Sequence, residues 1–231
     1  MLVLLLAVEF LLLNKAEPRM RHFTNLCSLK RMDGWEFFRQ NMTYAMLKRT
    51  YSVQGGINNS MCVMAPYPPT INATRHVMNK TFTYRNMSST YKLTENVSYW
   101  PIAKLQLQFR SQTPYLSGAT RRPLSDYNYV YSSILMPWFG YSLPAPEWHF
   151  MYCDQDCAVV RVLSETHDGS GEHGGRSIKK WQRCEQWIRF DKTIRRNEID
   201  KFTDTSNCDS YFETVCDTTS VEQVYNLKYC A

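Results

Sequence analysis

Apolar and polar residues alternate over short stretches along most of this chain, and the pattern reads as strands. Lys104, Gln106 and Gln108 alternate with Leu105, Leu107 and Phe109, which predicts a strand with one face buried and one wet. Runs rich in β-branched and aromatic residues, bounded by Pro, Gly, Asn or Asp, predict seven more: Thr43 to Val53, Ser60 to Met64, Lys80 to Arg85, Tyr127 to Ile134, Glu147 to Tyr152, Cys157 to Leu163 and Cys184 to Phe190. The polar connector Cys153-Asp154-Gln155-Asp156 suits an antiparallel hairpin between two of them. Near the C-terminus the period changes. Ile199, Phe202, Cys208, Tyr211, Phe212 and Val215 recur at helical spacings and predict one amphipathic helix packed on the sheet. About eight strands, a terminal helix and no βαβ alternation predict an all-β fold, an antiparallel barrel or sandwich in one domain.

The N-terminal stretch Leu2 to Leu13 is apolar except for Glu9 and is followed by Asn14, Lys15 and Ala16. It is shorter than the ~20 residues that cross a bilayer and has the length of a secretory h-region, so residues 1–16 are expected to be a cleaved signal peptide and 17–231 the folded domain. Two counts point to the same compartment. Sequons occur at Asn41, Asn58, Asn72, Asn79, Asn86 and Asn96, where chance pairing would give about two. The eight cysteines Cys27, Cys62, Cys153, Cys157, Cys184, Cys208, Cys216 and Cys230 form an even set without zinc-ligand spacing. A secreted, glycosylated and disulfide-bonded protein is expected, with no metal and no cofactor.

A formal charge of +6 is mild, and the Lys and Arg residues are scattered, so neither nucleic acid nor a membrane is an expected partner. Four of the nine glycines fall between Thr166 and Arg176, without a Gly-Lys-Ser/Thr ending. That reads as a flexible insertion and not as a phosphate cradle. The histidines His22, His76, His149, His167 and His173 sit in separate segments and no hydrolase or Walker motif appears, so no enzyme is expected.

Several segments together resemble the tick salivary lipocalins, the group that includes the histamine-binding proteins. They are Asp33-Gly34-Trp35, Leu47-Lys48-Arg49-Thr50-Tyr51, Phe82-Thr83-Tyr84-Arg85-Asn86, Cys157-Ala158-Val159-Val160-Arg161-Val162, Cys184-Glu185-Gln186-Trp187-Ile188, the stretch from Cys208 to Cys216, and Tyr225 to Cys230. The resemblance implies an eight-stranded antiparallel up-and-down lipocalin barrel, closed at one end, with a C-terminal α-helix on its outside. It also implies disulfides Cys62–Cys230, Cys157–Cys208 and Cys184–Cys216, which leaves Cys27–Cys153 as a possible fourth; the sequence by itself leaves the connectivity open.

Amine-binding members of the group carry an Asp after the first cysteine of the Cys157 strand and a Glu-Leu-Trp in the next strand. Glu185 and Trp187 match, while Ala158 replaces the Asp and Gln186 the Leu. Glu185 and Trp187 share one face of a strand, so an inward face would offer an ammonium a carboxylate and an aromatic ring; an outward Glu with a structural Trp is the alternative. Tyr127, Tyr129 and Tyr131 repeat with period two and form a second candidate ligand wall, or else packed core or sheet surface. The resemblance thus implies a carrier for a small host mediator, either a biogenic amine such as histamine or serotonin or a hydrophobic lipid. The alternative is a barrel whose loops engage a host plasma protein and whose pocket is vestigial.

Overall fold

The computed structural model describes residues 33–87, 99–111, 126–163, 183–190 and 204–230. Residues 1–16, Cys27, Asn96 and the glycine-rich 166–176 stretch lie outside them. Eight strands form the wall: β1 (Thr43–Arg49), β2 (Met61–Ala65), β4 (Val77–Arg85), β5 (Ile102–Arg110), β6 (Tyr129–Trp138), β7 (Trp148–Cys153), β8 (Cys157–Val162) and β9 (Cys184–Phe190). Each pairs antiparallel with the next, and β9 returns to β1 from Thr43↔Phe190 to Arg49↔Glu185, which closes the barrel. Two short strands lie off this ring, β3 (Thr70–Asn72) on β4 and β10 (Glu222–Gln223) on β1.

Each strand sorts its side chains by alternation. In β8, Ala158 and Val160 face the barrel interior with Phe82, Trp148, Phe150 and Trp187. Cys157 and Val159 face outward, into a second apolar layer under helix α2 (Ser206–Val215). Cys208, Tyr211, Phe212 and Val215 make the buried stripe of that helix, so its period is the one expected. It begins later than Ile199, which with Phe202 lies outside the described residues. Two disulfides, Cys157–Cys208 and Cys184–Cys216, tie the helix ends to β8 and β9. A third, Cys62–Cys230, fastens helix α3 (Leu227–Cys230) to β2. These three are the pairings the resemblance implied. The fourth, Cys27–Cys153, involves a residue outside the described ones.

β4 and β5 begin earlier than expected, at Val77 and Ile102, and β1 and β6 differ most in extent from the sequence expectation. β1 stops at Arg49, not Val53, because Thr50 leaves the ladder: its N–H donates to the Cys184 carbonyl and its hydroxyl accepts from the Cys184 N–H. Tyr51 to Val53 then bend toward the barrel mouth before a turn at Gly55 and Gly56, both in the left-handed region. β6 starts at Tyr129 and runs on to Trp138. It pairs with β5 over its whole length but with β7 only at Tyr129 and Val130. From Tyr131 onward its β7 side meets no strand among the described residues; the 139–147 loop lies there instead, held by the Ser132 hydroxyl on the Pro146 carbonyl.

One end of the barrel is closed by helix α1 (Gly34–Phe38), which periodicity did not predict because five residues are too few to show it. Asp33 caps it. One carboxylate oxygen accepts from Glu36 N–H at 2.8 Å, and the other accepts from Tyr127 N–H at 2.9 Å, which ties the helix to the segment that leads into β6. Trp35, Phe37 and Phe38 fill the base, and Gly34 sits so close to the Phe150 ring that a Cβ would fall 2.5 Å from it. Asp33→Ala removes both ties and is expected to cost about 1–2 kcal/mol, seen as a lower thermal midpoint by circular dichroism. Asp33→Asn, which keeps the acceptor for Glu36, is expected to cost less.

Candidate functional site

The mouth is the end opposite α1, where β1, β6 and β8 finish and β7 and β9 begin. Strand β9 enters here with Cys184 outward, Glu185 inward, Gln186 outward and Trp187 inward. Gln186 lies under α2, where its amide donates to Asp209 at 3.1 Å. Glu185 and Trp187 are both buried and line one cavity. The shared face therefore points inward, the orientation that offers a ligand both groups.

Burial of a carboxylate demands partners, and Glu185 has several. Its Oε2 accepts from Trp187 Nε1 at 2.8 Å, and its Oε1 accepts from the Tyr51 hydroxyl. Arg49, opposite Glu185 in the β1–β9 ladder, is itself buried and spends its guanidinium on Glu222 at 2.6–2.7 Å and on the Ser60 hydroxyl at 2.7 Å. Burial raises the Glu185 carboxyl above the ordinary carboxylate range; the donors Tyr51 and Trp187 and the Arg49 charge pull against it without cancelling it. Burial, and after it the charge of Glu185, also drives the Tyr51 phenol upward, so Tyr51 stays a donor at any physiological pH.

Around this carboxylate the cavity is aromatic and aliphatic. Met46, Val63, Phe82, Trp148 and Trp187 supply the walls, and the 139–147 loop supplies a side with Tyr141, Leu143 and Pro144. Phe38 of α1 lies 5.6 Å from Trp148 and 5.7 Å from Trp187, ring to ring, and so backs these two wall residues from the base of the barrel. Arg183 stands at the rim with its guanidinium 4.6 Å from the Tyr51 ring. A further buried cation, Lys80, lies 4.4 Å over the Tyr44 ring. The cavity leaves about 50 Å³ for the centres of water-sized groups. One water needs roughly 10–15 Å³ on that scale, so the room is that of a few waters, or of one small ring with a short tail.

The tyrosine wall expected from Tyr127, Tyr129 and Tyr131 is not part of this cavity. Alternation puts Val130 inside with the core, which turns Tyr129 and Tyr131 outward. Tyr129 stacks on His149 at 4.2 Å on the outer surface, Tyr131 is 40 % exposed with Arg110 over its ring, and Tyr127 stacks on His76 at 3.5 Å. The position where amine binders carry an Asp is the buried Ala158, beside Trp187 in the ladder. Sequence reasoning missed Tyr51, Trp148 and Tyr141. Tyr51 and Tyr141 follow the ends of β1 and β6, where strand periodicity no longer assigns a face. Trp148 stood within a predicted strand, but nothing marked its inward face as pocket.

An eight-stranded closed barrel that holds one ionisable carboxylate in an aromatic cavity near its mouth is a lipocalin-type binding protein. The particular family follows from the sequence as a whole: the family described as tick histamine binding protein matches residues 25–231, and the chain belongs to it. A comparison with curated proteins finds no match. Three disulfides are the chemistry of an oxidising compartment, consistent with an extracellular protein.

Proposed function

We propose that the protein is a secreted carrier that removes a small host amine from solution by holding its ammonium against Glu185 in the barrel mouth. The observation that carries this reading is the inward, buried carboxylate of Glu185 among aromatic rings. A carboxylate has about four lone-pair sites, and Tyr51 and Trp187 use one on each oxygen, which leaves acceptor capacity for an ammonium. Trp187 and Phe82 add apolar and cation–π attraction. The few-water room of the cavity supports an amine over a long-chain lipid. No bond is made or broken; the effect on the host is depletion by mass action, one ligand per cavity. The N-terminal segment 1–16 directs secretion in this reading. Sugars are borne by the sequons, of which Asn41, Asn58 and Asn72 are exposed and Asn79 and Asn86 half-buried.

Calorimetric titration of the deglycosylated protein with histamine, serotonin, a leukotriene and a fatty acid tests this. Saturable binding of an amine supports it. Silence with both amines overturns it and moves the function to the outer surface, toward a plasma-protein partner.

A pH dependence follows from the raised Glu185 carboxyl. The free protein holds the Glu185 proton to higher pH than an ordinary carboxyl, whereas the amine complex requires the ionised form. Binding therefore releases a proton when the free group is protonated, and affinity falls as pH drops through its folded pKa. Titrations between about pH 8 and pH 5, in buffers of different ionisation enthalpy, are expected to show weaker binding and proton release at the acid end.

A further inference from the structure

Trp148 lines the pocket with a buried polar atom that meets no hydrogen-bond partner in proper geometry among the described residues. Its side chain is 1 % exposed, yet its indole Nε1–H has no hydrogen-bond partner among the described residues. The ring cannot turn to find one. Phe38 stacks on it at 5.6 Å, Trp187 meets it edge-on at 5.4 Å and Phe150 at 6.1 Å. Trp187, by contrast, spends its N–H on Glu185. Burying an unpaired indole donor is unfavourable and needs a compensation elsewhere, and a phenylalanine would occupy most of that space without that penalty. The N–H lies near Glu185, since it helps draw that carboxyl downward without bonding to it in proper geometry.

We propose that Trp148 Nε1–H is the donor for a hydrogen-bond acceptor that the ligand carries next to its ammonium, which makes the preferred ligand a vicinal amino alcohol, a β-hydroxylated arylethylamine. The inference rests on the amine reading above and narrows it. The ammonium occupies the open acceptor sites of Glu185, and because the free N–H neighbours that same carboxylate, the acceptor belongs on the adjacent carbon. The aryl ring then falls among Phe82, Tyr141 and Trp187. A site built around a polar contact rejects the analogue that lacks it, since the buried donor then stays unpaired.

Octopamine and tyramine differ only by the β-hydroxyl and serve as probes with wild-type protein and Trp148→Phe. Wild type is expected to bind octopamine about 5- to 150-fold more tightly than tyramine, the range set by leaving one buried donor unpaired. Trp148→Phe is expected to weaken octopamine binding more than tyramine binding, so that the ratio of the two affinities falls to about one whatever the change in tyramine affinity itself. A far-ultraviolet circular dichroism spectrum and a thermal midpoint like those of wild type show that the variant barrel is intact. Equal affinities in wild type, a preference that survives in Trp148→Phe, or a variant that loses both amines alike overturns the role of Trp148. In each of these cases amine binding by wild type stands. Failure of wild type to bind either probe, histamine or serotonin overturns the amine reading and this inference together.

Discussion

Glu185→Gln is expected to weaken amine binding by at least about 100-fold while leaving the thermal midpoint unchanged or higher. The loss follows from removing one partner of a buried ion pair, which costs roughly 3–5 kcal/mol because the ammonium would sit desolvated with no counter-charge. The stability follows from the opposite sign in the free protein. Its folded carboxyl is raised by burial, so the stabilising state is the protonated one, present below the unfolded pKa and lost as pH rises through the folded pKa. Above that folded pKa the ionised Glu185 is a burden on the fold, and an uncharged amide removes it. The amide oxygen keeps the Trp187 N–H satisfied, and the Tyr51 hydroxyl can turn to accept from the new NH₂ group. Calorimetry for binding and a thermal melt for stability separate the two effects. Amine affinity untouched by the substitution would place the ammonium elsewhere in the barrel.

Removal of the Cys62–Cys230 bridge, as the Cys62→Ser/Cys230→Ser double variant, is expected to be the most damaging of the three described disulfide deletions. The bridge spans 168 residues, against 51 for Cys157–Cys208 and 32 for Cys184–Cys216. Loop-closure entropy assigns it about 5 kcal/mol, roughly 1.5 kcal/mol more than the shortest bridge. A loss of that size lowers the midpoint of a domain this large by roughly 10–20 °C. Binding is expected to suffer as well. The segment released carries Val224, whose carbonyl accepts from Cys62 N–H at 2.8 Å, and Glu222, which holds the buried Arg49 beside Glu185. Loss of that hold leaves a guanidinium free to compete with the ligand for the carboxylate. Scanning calorimetry of the three double variants checks the order. A Cys184→Ser/Cys216→Ser protein less stable than the Cys62→Ser/Cys230→Ser protein would show that local packing outweighs chain entropy here.

The wall of this barrel was legible in the sequence because strand alternation is local. Lys104 to Arg110 needed no tertiary information, and Cys208, Tyr211, Phe212 and Val215 marked the helix face by spacing alone. What was not legible depended on direction or on very short elements. Tyr127, Tyr129 and Tyr131 shared a face as read, but which face was inward depended on Val130 having a place in the core. Helix α1 lacked the length to show a period and is held by Asp33 reaching across to Tyr127, a contact between residues 94 apart. Glu185 and Trp187 were found by likeness to amine binders, and their inward turn came from the structure. Tyr51 sits past the last ladder pair of β1, where the bend at Thr50 sets its direction.

The half of β6 beyond Val130 is also where the barrel's hoop is weakest. Its β7 side has side chains and a proline-bearing loop where a ladder would be, and Leu135, Met136, Trp138 and Phe139 stand exposed along it. Local opening there breaks few backbone bonds, so amides of β6 that point to that side exchange with solvent well before those shared with β5. The loop that covers this gap is the one that walls the ligand cavity. A molecule seated against Tyr141 and Leu143 therefore acts as a rivet across the gap, and the first sign of occupancy is slower exchange along this joint.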